Sequence, residues 1–217
     1  MALTLKNKIL QDTLRHDAFS VQSPEADFWA GFIAADGCIN KDAGLELCLA
    51  NKDLAFLSLF RDWVGSLHKL TTRIYSDGRV GCRLSFSSKK IVEDLEQFYS
   101  ITPAKTHTLQ PPQRQSLYFV AGYFMGDGTL TYSPARPPRE AQWRAAFVGT
   151  EVFLDWVSTY FQEYSGARPY LHPSNVYVLG YQSRQTPKIA RLIFDHAPFM
   201  IARKKNKYEE MLCSLIL

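Results

Sequence analysis

Two acids stand in matched surroundings. FWAGFIAADGCIN (28–40) and YFVAGYFMGDGTL (118–130) each run aromatic, small, glycine and further apolar residues before Asp-Gly and a polar tail. A lone Asp-Gly after an apolar helix reads as the turn that ends it. Here there are two: Asp36 and Asp127 lie 91 positions apart, and 90 residues follow the second. A motif returning at that interval predicts a duplicated half. A carboxylate at a helix C-terminus opposes the helix dipole, and two together repel, so the pair requires something cationic. A hard divalent ion bound through oxygen fits. Mg²⁺, or another such as Mn²⁺, held by one or two carboxylates and by phosphate oxygens suits phosphoryl-transfer chemistry.

The elements that deliver the acids are legible around them. In the first motif Ala30 and Ala34, and Gly31 and Ala35, are four apart on one helix face; in the second Gly122 and Gly126 repeat this, with Ala121 beside them. Small residues at that spacing let two helix backbones approach closely. Glycine costs a helix interior roughly 1 kcal/mol relative to alanine, so two in one short helix argue for packing. The motif helices are therefore expected to pack on each other and bring both acids to one seam.

Ser23, Pro24 and Glu25 predict a helix start, and Gly37 its end, giving a helix over about 24–35. Then follow an alternating strand over 45–51, a helix over 52–65, a hairpin over 71–87 turning at Asp77-Gly78, and a helix over 89–100. The second half repeats the order: motif helix, a hairpin over 128–150 with a long loop, a helix over 151–166, a hairpin over 168–183 turning at 173–175, and a helix over 186–197. A basic, partly helical tail follows. The divisions read as an amino-terminal extension 1–22, a first half 23–104, a linker 105–115 and a second half 116–217. The extension is expected to form a short amphipathic helix through Leu5, Ile9, Leu10 and Leu14, packing on the outside.

Composition narrows the class. A chain of 217 residues with 46% apolar and 21% charged residues is an ordinary globular protein, and a net charge of +4 permits a nucleic-acid partner without demanding one. Cys38, Cys48, Cys82 and Cys213 form no CxxC pair and have no nearby His at ligand spacing, which argues against a zinc site and reads as reduced, mostly buried thiols. There is no signal-peptide core and no membrane-length apolar run, so a soluble, intracellular protein is expected. Trp29, Phe32, Phe56, Phe60, Trp63, Phe153, Phe161 and Phe194 fall at helical spacings and read as core.

At WAGFIAADG (29–37) and VAGYFMGDG (120–128) the chain resembles the LAGLIDADG homing endonucleases of the single-chain, two-motif type. The resemblance extends over nearly the whole chain, because the α-β-β-α-β-β-α order of each half is also the family's. It implies an α+β fold of two pseudo-twofold halves, with the motif helices at their interface and two curved antiparallel sheets forming a DNA-binding saddle. It implies a monomer that cuts both strands of a long double-stranded DNA target by metal-dependent hydrolysis, leaving short 3′ overhangs. Asp36 and Asp127 match the metal-binding acids; whether the backbone at residue 35 joins them is open. The motif's earlier acid is replaced by Ala34 and Met125, which leaves the metal-binding position intact. Asn51 matches a polar, water-ordering position at the end of the strand before the second helix. Gly149 and Thr150 compete for the place in the second half, with Thr150 favoured. Lys105, and Arg203 or Lys204, match the basic residue that completes each site.

DNA contacts are expected from side chains two apart on a strand, which share a face. These are Arg73 with Tyr75, Arg79 with Arg83, Gln142 with Arg144, and Gln182 with Arg184. Lys41 belongs to the first hairpin loop, Arg136 and Arg139 to the long loop of the second half. Lys188, Arg191, Arg203, Lys204, Lys205 and Lys207 form a candidate phosphate-contacting patch. The alternative function is an intron maturase that binds its host intron RNA. A transcription regulator is disfavoured because both acids are present and no length remains for an added DNA-binding module. The differing loops of the two halves predict an asymmetric target.

Overall fold

The structure is a computed structural model that describes residues 13–40, 42–135 and 141–215. Lys41, Arg136, Arg139 and most of the expected amino-terminal helix lie outside the described residues. Helix α1 (Pro24–Asp36) begins at Ser23, whose hydroxyl accepts from the Ala26 amide at 3.1 Å. Residues 26–34 are all buried, as befits a helix apolar on every side. Gly37 ends it in extended conformation and passes straight into strand β1 (Gly37–Ile39). Strand β2 (Gly44–Ala50), a 3-10 turn (Asn51–Asp53), α2 (Leu54–Trp63), β3 (Thr71–Ile74), β4 (Val80–Ser87) and α3 (Lys89–Tyr99) complete the half. The hairpin turns at Gly78, whose φ of +80° suits glycine.

The second half runs α4 (Leu117–Asp127), β5 (Thr129–Ser133), β6 (Gln142–Gly149), α5 (Glu151–Thr159), β7 (Tyr170–His172), β8 (Val176–Gln182), α6 (Gln185–Asp195) and α7 (Ala202–Ser214). The sheets are antiparallel with equivalent orders, β1-β2-β4-β3 and β5-β6-β8-β7. This is the expected α+β architecture of two duplicated halves. The helix expected over 151–166 stops at Thr159, where Tyr160 to Tyr164 turn back and bury Phe161.

In each half alternate strand residues face the helices: Leu45, Leu47, Leu49, Leu84 and Phe86 in one, Trp143, Ala145, Phe147, Leu179 and Tyr181 in the other. The aromatic residues expected in the core are there, Trp63 partly buried at its edge. The thiols are free as expected, but the expectation that most are buried is corrected. Cys38 and Cys213 are exposed and Cys48 is half-buried, because 38 and 48 fall on outward-facing strand positions. Residues 13–20 pack into the first half: Leu14, Ala18 and Phe19 are buried, and Phe19 lies edge-on to Trp63 and Tyr99.

Candidate active site at the helix seam

Helices α1 and α4 make the most extensive contact between any two elements outside the sheets. A Cβ on Gly31 would overlap the carbonyl of Phe119, one on Gly122 the carbonyl of Phe28, and one on Gly126 the methyl of Ala35. The backbones thus touch at Gly31 and Gly122, and at Gly126 a backbone meets the Ala35 methyl, which only glycine allows here. The two chains of small residues, Gly31 with Ala35 and Gly122 with Gly126, face each other, and both helices end side by side.

Asp36 is carried to that end with its Oδ2 only 3.2 Å from where a Cβ on Gly126 would stand, beside Asp127. Burial, and secondarily the neighbouring Asp127, push the Asp36 carboxyl up to about 6. Asp127 opens further toward solvent, yet the surrounding protein also raises it, while Lys105 and Lys204 pull it back.

Each helix end is held by a buried lysine, one from the segment between the halves and one from the first turn of α7. Lys105, 8% exposed, donates to the carbonyl of Ala35 at 3.2 Å. Lys204, 5% exposed, donates to the carbonyls of Phe124, Gly126 and Gly128 at 2.6, 2.9 and 2.6 Å. A cation here satisfies carbonyls that a helix end leaves unpaired and answers the dipole. Burial lowers both ammonium groups, Lys204 to about 7, while the two acids oppose the shift. Arg203 turns the other way and bridges to the buried Asp53 of the first half at 3.2 Å.

The seam opens into a cleft of about 480 Å³ lined by Lys105, Tyr123, Asp127, Thr150 and Glu151 among others. Thr150 caps α5, accepting from the Phe153 amide, and donates to the carbonyl of Leu109 at 2.6 Å. Gly149, its competitor, has no side chain to offer. Asn51 is exposed at the start of the 3-10 turn. Two cleft residues had no sign in the sequence. The Tyr123 hydroxyl, 2.8 Å from the Val148 carbonyl, interacts with Asp127, but an aromatic residue in an apolar helix reads as core. Glu151 corresponds to Asn51 by sheet register, which becomes visible only once Cys38 pairs with Glu46 and Thr129 with Ala146.

Of the sheet side chains, Arg73 and Arg83 gather on Glu46, and Arg73 and Arg79 lie over the Tyr75 ring at 5.1 and 5.6 Å. Arg79 also pairs with Asp77. Arg144 faces Gln182 across β6 and β8, Gln142 accepts from Ser183 at 2.6 Å, and Arg184 is exposed. Within the candidate basic patch, Lys205 and Lys207 pair with Glu209 and Glu210 along α7, whereas Lys204 is turned inward.

The donor set fits a hard divalent cation. Two carboxylates converge at one seam, one of them raised by burial and by the other's charge, and a divalent cation held there would relieve both. Among the described residues no group of three or more His, Cys, Asp or Glu side chains gathers, so the remaining oxygen ligands would come from water, backbone or substrate.

No family model matches the chain, and no curated protein matches it. Among solved structures the fold is that of the LAGLIDADG homing endonucleases. A structure of I-GzeII in complex with its DNA target is similar with a TM-score of 0.61 over 86% of this chain and 88% of that one, at 11% identity. I-LtrWI bound to target DNA gives 0.61 over 88% and 90% at 12% identity, and I-SmaMI bound to uncleaved DNA in the presence of calcium ions gives 0.57 over 88% and 89% at 11%. Among the described residues no helix is long and apolar enough to cross a membrane.

Proposed function

We propose that this chain is a site-specific endonuclease that cuts double-stranded DNA by metal-dependent phosphodiester hydrolysis. One observation carries the reading: two carboxylates delivered to one seam by helices that only glycine lets touch, each helix end held by its own buried lysine. Glycine in helix interiors and acids at helix C-termini both cost stability. Their coincidence is expected where function requires it.

Asp36 and Asp127 would hold the divalent ions, with Mg²⁺ the expected metal. When bound, the metal supplies an activated water and charge stabilisation at the scissile phosphate. The protein's own groups set the rest. Lys105 and Lys204 fix the carbonyls that flank the acids and add positive charge beside the phosphate. Asn51 in one half and its register counterpart Glu151 in the other order water near the acids, Thr150 holds the start of α5 and the Leu109 carbonyl beside them, and Tyr123 flanks Asp127. The two sheets present Arg73, Tyr75, Arg79, Arg83, Arg144, Gln142, Gln182 and Arg184 to the major groove. One chain carries both acids, so a monomer cuts both strands of an asymmetric target, with the 3′ overhangs that the family resemblance implies.

The test uses duplexes selected for cleavage from a randomised library in Mg²⁺. Asp36→Asn and Asp127→Asn should each lower double-strand cleavage by at least about 100-fold while retaining DNA binding. Chelation should do the same. Full cleavage by either variant would sink the assignment.

A further inference from the structure

The outward faces of the two sheets match in register and differ in chemistry. Cys38 pairs with Glu46 and Thr129 with Ala146, each standing two residues past its motif acid. From that anchor the ladders correspond pair by pair. Cys48 opposite Arg83 becomes Val148 opposite Val178, and Glu46 opposite Ser85 becomes Ala146 opposite Gly180. Where the first sheet gathers Arg73 and Arg83 on Glu46, the second has no charge at the positions of Glu46 and Arg83. Its Arg144 and Gln182 stand beyond this apolar band, paired at the end of the ladder farther from Asp127.

In the major groove arginine reads guanine, a carboxylate accepts from the cytosine amino group, and small apolar side chains meet the thymine C5 methyl. We propose that the second sheet recognises thymine methyl groups through Ala146, Val148 and Val178 in an A·T-rich stretch beside the cut, while Glu46, Arg73 and Arg83 read G·C pairs at the equivalent place in the first half-site. The inference rests on the DNA-endonuclease reading and names the substrate class of each half.

The test starts with duplexes recovered from a randomised library by binding to the full chain in Ca²⁺. Thymines of the recovered sequence are then replaced by deoxyuridine in one half-site at a time, which removes only methyl groups. The half-site belonging to the second sheet is the one whose recovered sequence changes for Val178→Arg, an outward position whose substitution spares the core. Each methyl lost there should weaken binding by about fourfold, with no change for the other half-site. Val178→Ala should blunt this sensitivity, and Ala146→Glu combined with Val178→Arg should move the recovered bases from T toward G. Equal sensitivity of both half-sites, or none in the second, overturns this inference while leaving DNA recognition standing. Recovery of no common duplex overturns both.

Discussion

Asp36 is a residue whose placement opposes folding. Its carboxyl, raised to about 6 by burial and by Asp127, binds its proton more tightly folded than unfolded. Between about pH 4 and pH 6 the folded state therefore holds more protons, and stability falls as pH rises through that window. In metal-free buffer Asp36→Asn should thus raise unfolding free energy at pH 7.5 by about 1–2 kcal/mol after allowance for solvent screening, and the gain should vanish near pH 4. Urea denaturation at the two pH values measures this, and an Asn variant less stable at pH 7.5 would contradict it. A gain in stability coupled to a loss of cleavage is the mark of an acid kept for chemistry. Lys204 makes the opposite case. Lys204→Met removes the ammonium that serves three carbonyls, leaving that of Phe124 with the Gly128 amide, and a loss of about 1–3 kcal/mol is expected in the same assay.

At the scale of elements the decisive contact is α1 against α4. Gly31→Ala or Gly122→Ala puts a methyl into a carbonyl of the facing helix, where neither backbone has room to yield. Each should cost about 3 kcal/mol, measured as a lowered denaturation midpoint, because overpacked cores relax only by moving backbone. Gly78→Ala is the control: open space surrounds its Cβ position, so its cost should be limited to the strain of a positive φ, about 1 kcal/mol. Small residues four apart are readable as a packing face from the sequence, because helical periodicity alone places them together. Which carbonyl each glycine would strike was not readable, since that depends on the crossing of two segments 91 residues apart.

For the whole molecule, the halves are joined by more than the motif helices. Phe199, from the second half, stacks on Trp29 of α1 with centroids 4.8 Å apart, and Arg203 spans to Asp53. The segment between halves is tied on both sides, through Arg114 to the carbonyls of Phe19 and Ser20 and through the Leu109 carbonyl to Thr150. Arg203→Ala leaves the Asp53 carboxylate buried beside an apolar neighbour. It should destabilise by about 1–2 kcal/mol, with most of that coupling absent once Asp53 is Asn, as a double-mutant cycle would measure. The cost should stay below that of a wholly buried pair because Arg203 itself is half-exposed.

What the sequence determined by itself was local and periodic. The duplicated order of elements, the helix start at Ser23, the Asp77-Gly78 turn and the pairing of Asp36 with Asp127 all follow from spacing and from residue types with strong backbone preferences. Asn51 and Thr150 could be nominated from the family resemblance, and the alternating arginines from strand periodicity, which assigns their faces. Only the tertiary structure decided that Lys204 seats on the helix end while its neighbour Arg203 turns to Asp53, that Tyr123 and Glu151 join the cleft, and that the outward faces of the two sheets differ in charge. Those outcomes depend on which buried carbonyls and carboxylates lie within reach once distant segments pack. A buried unpaired group is costly wherever it falls, and the pattern of neighbours along the chain does not reveal which partner will meet it in space.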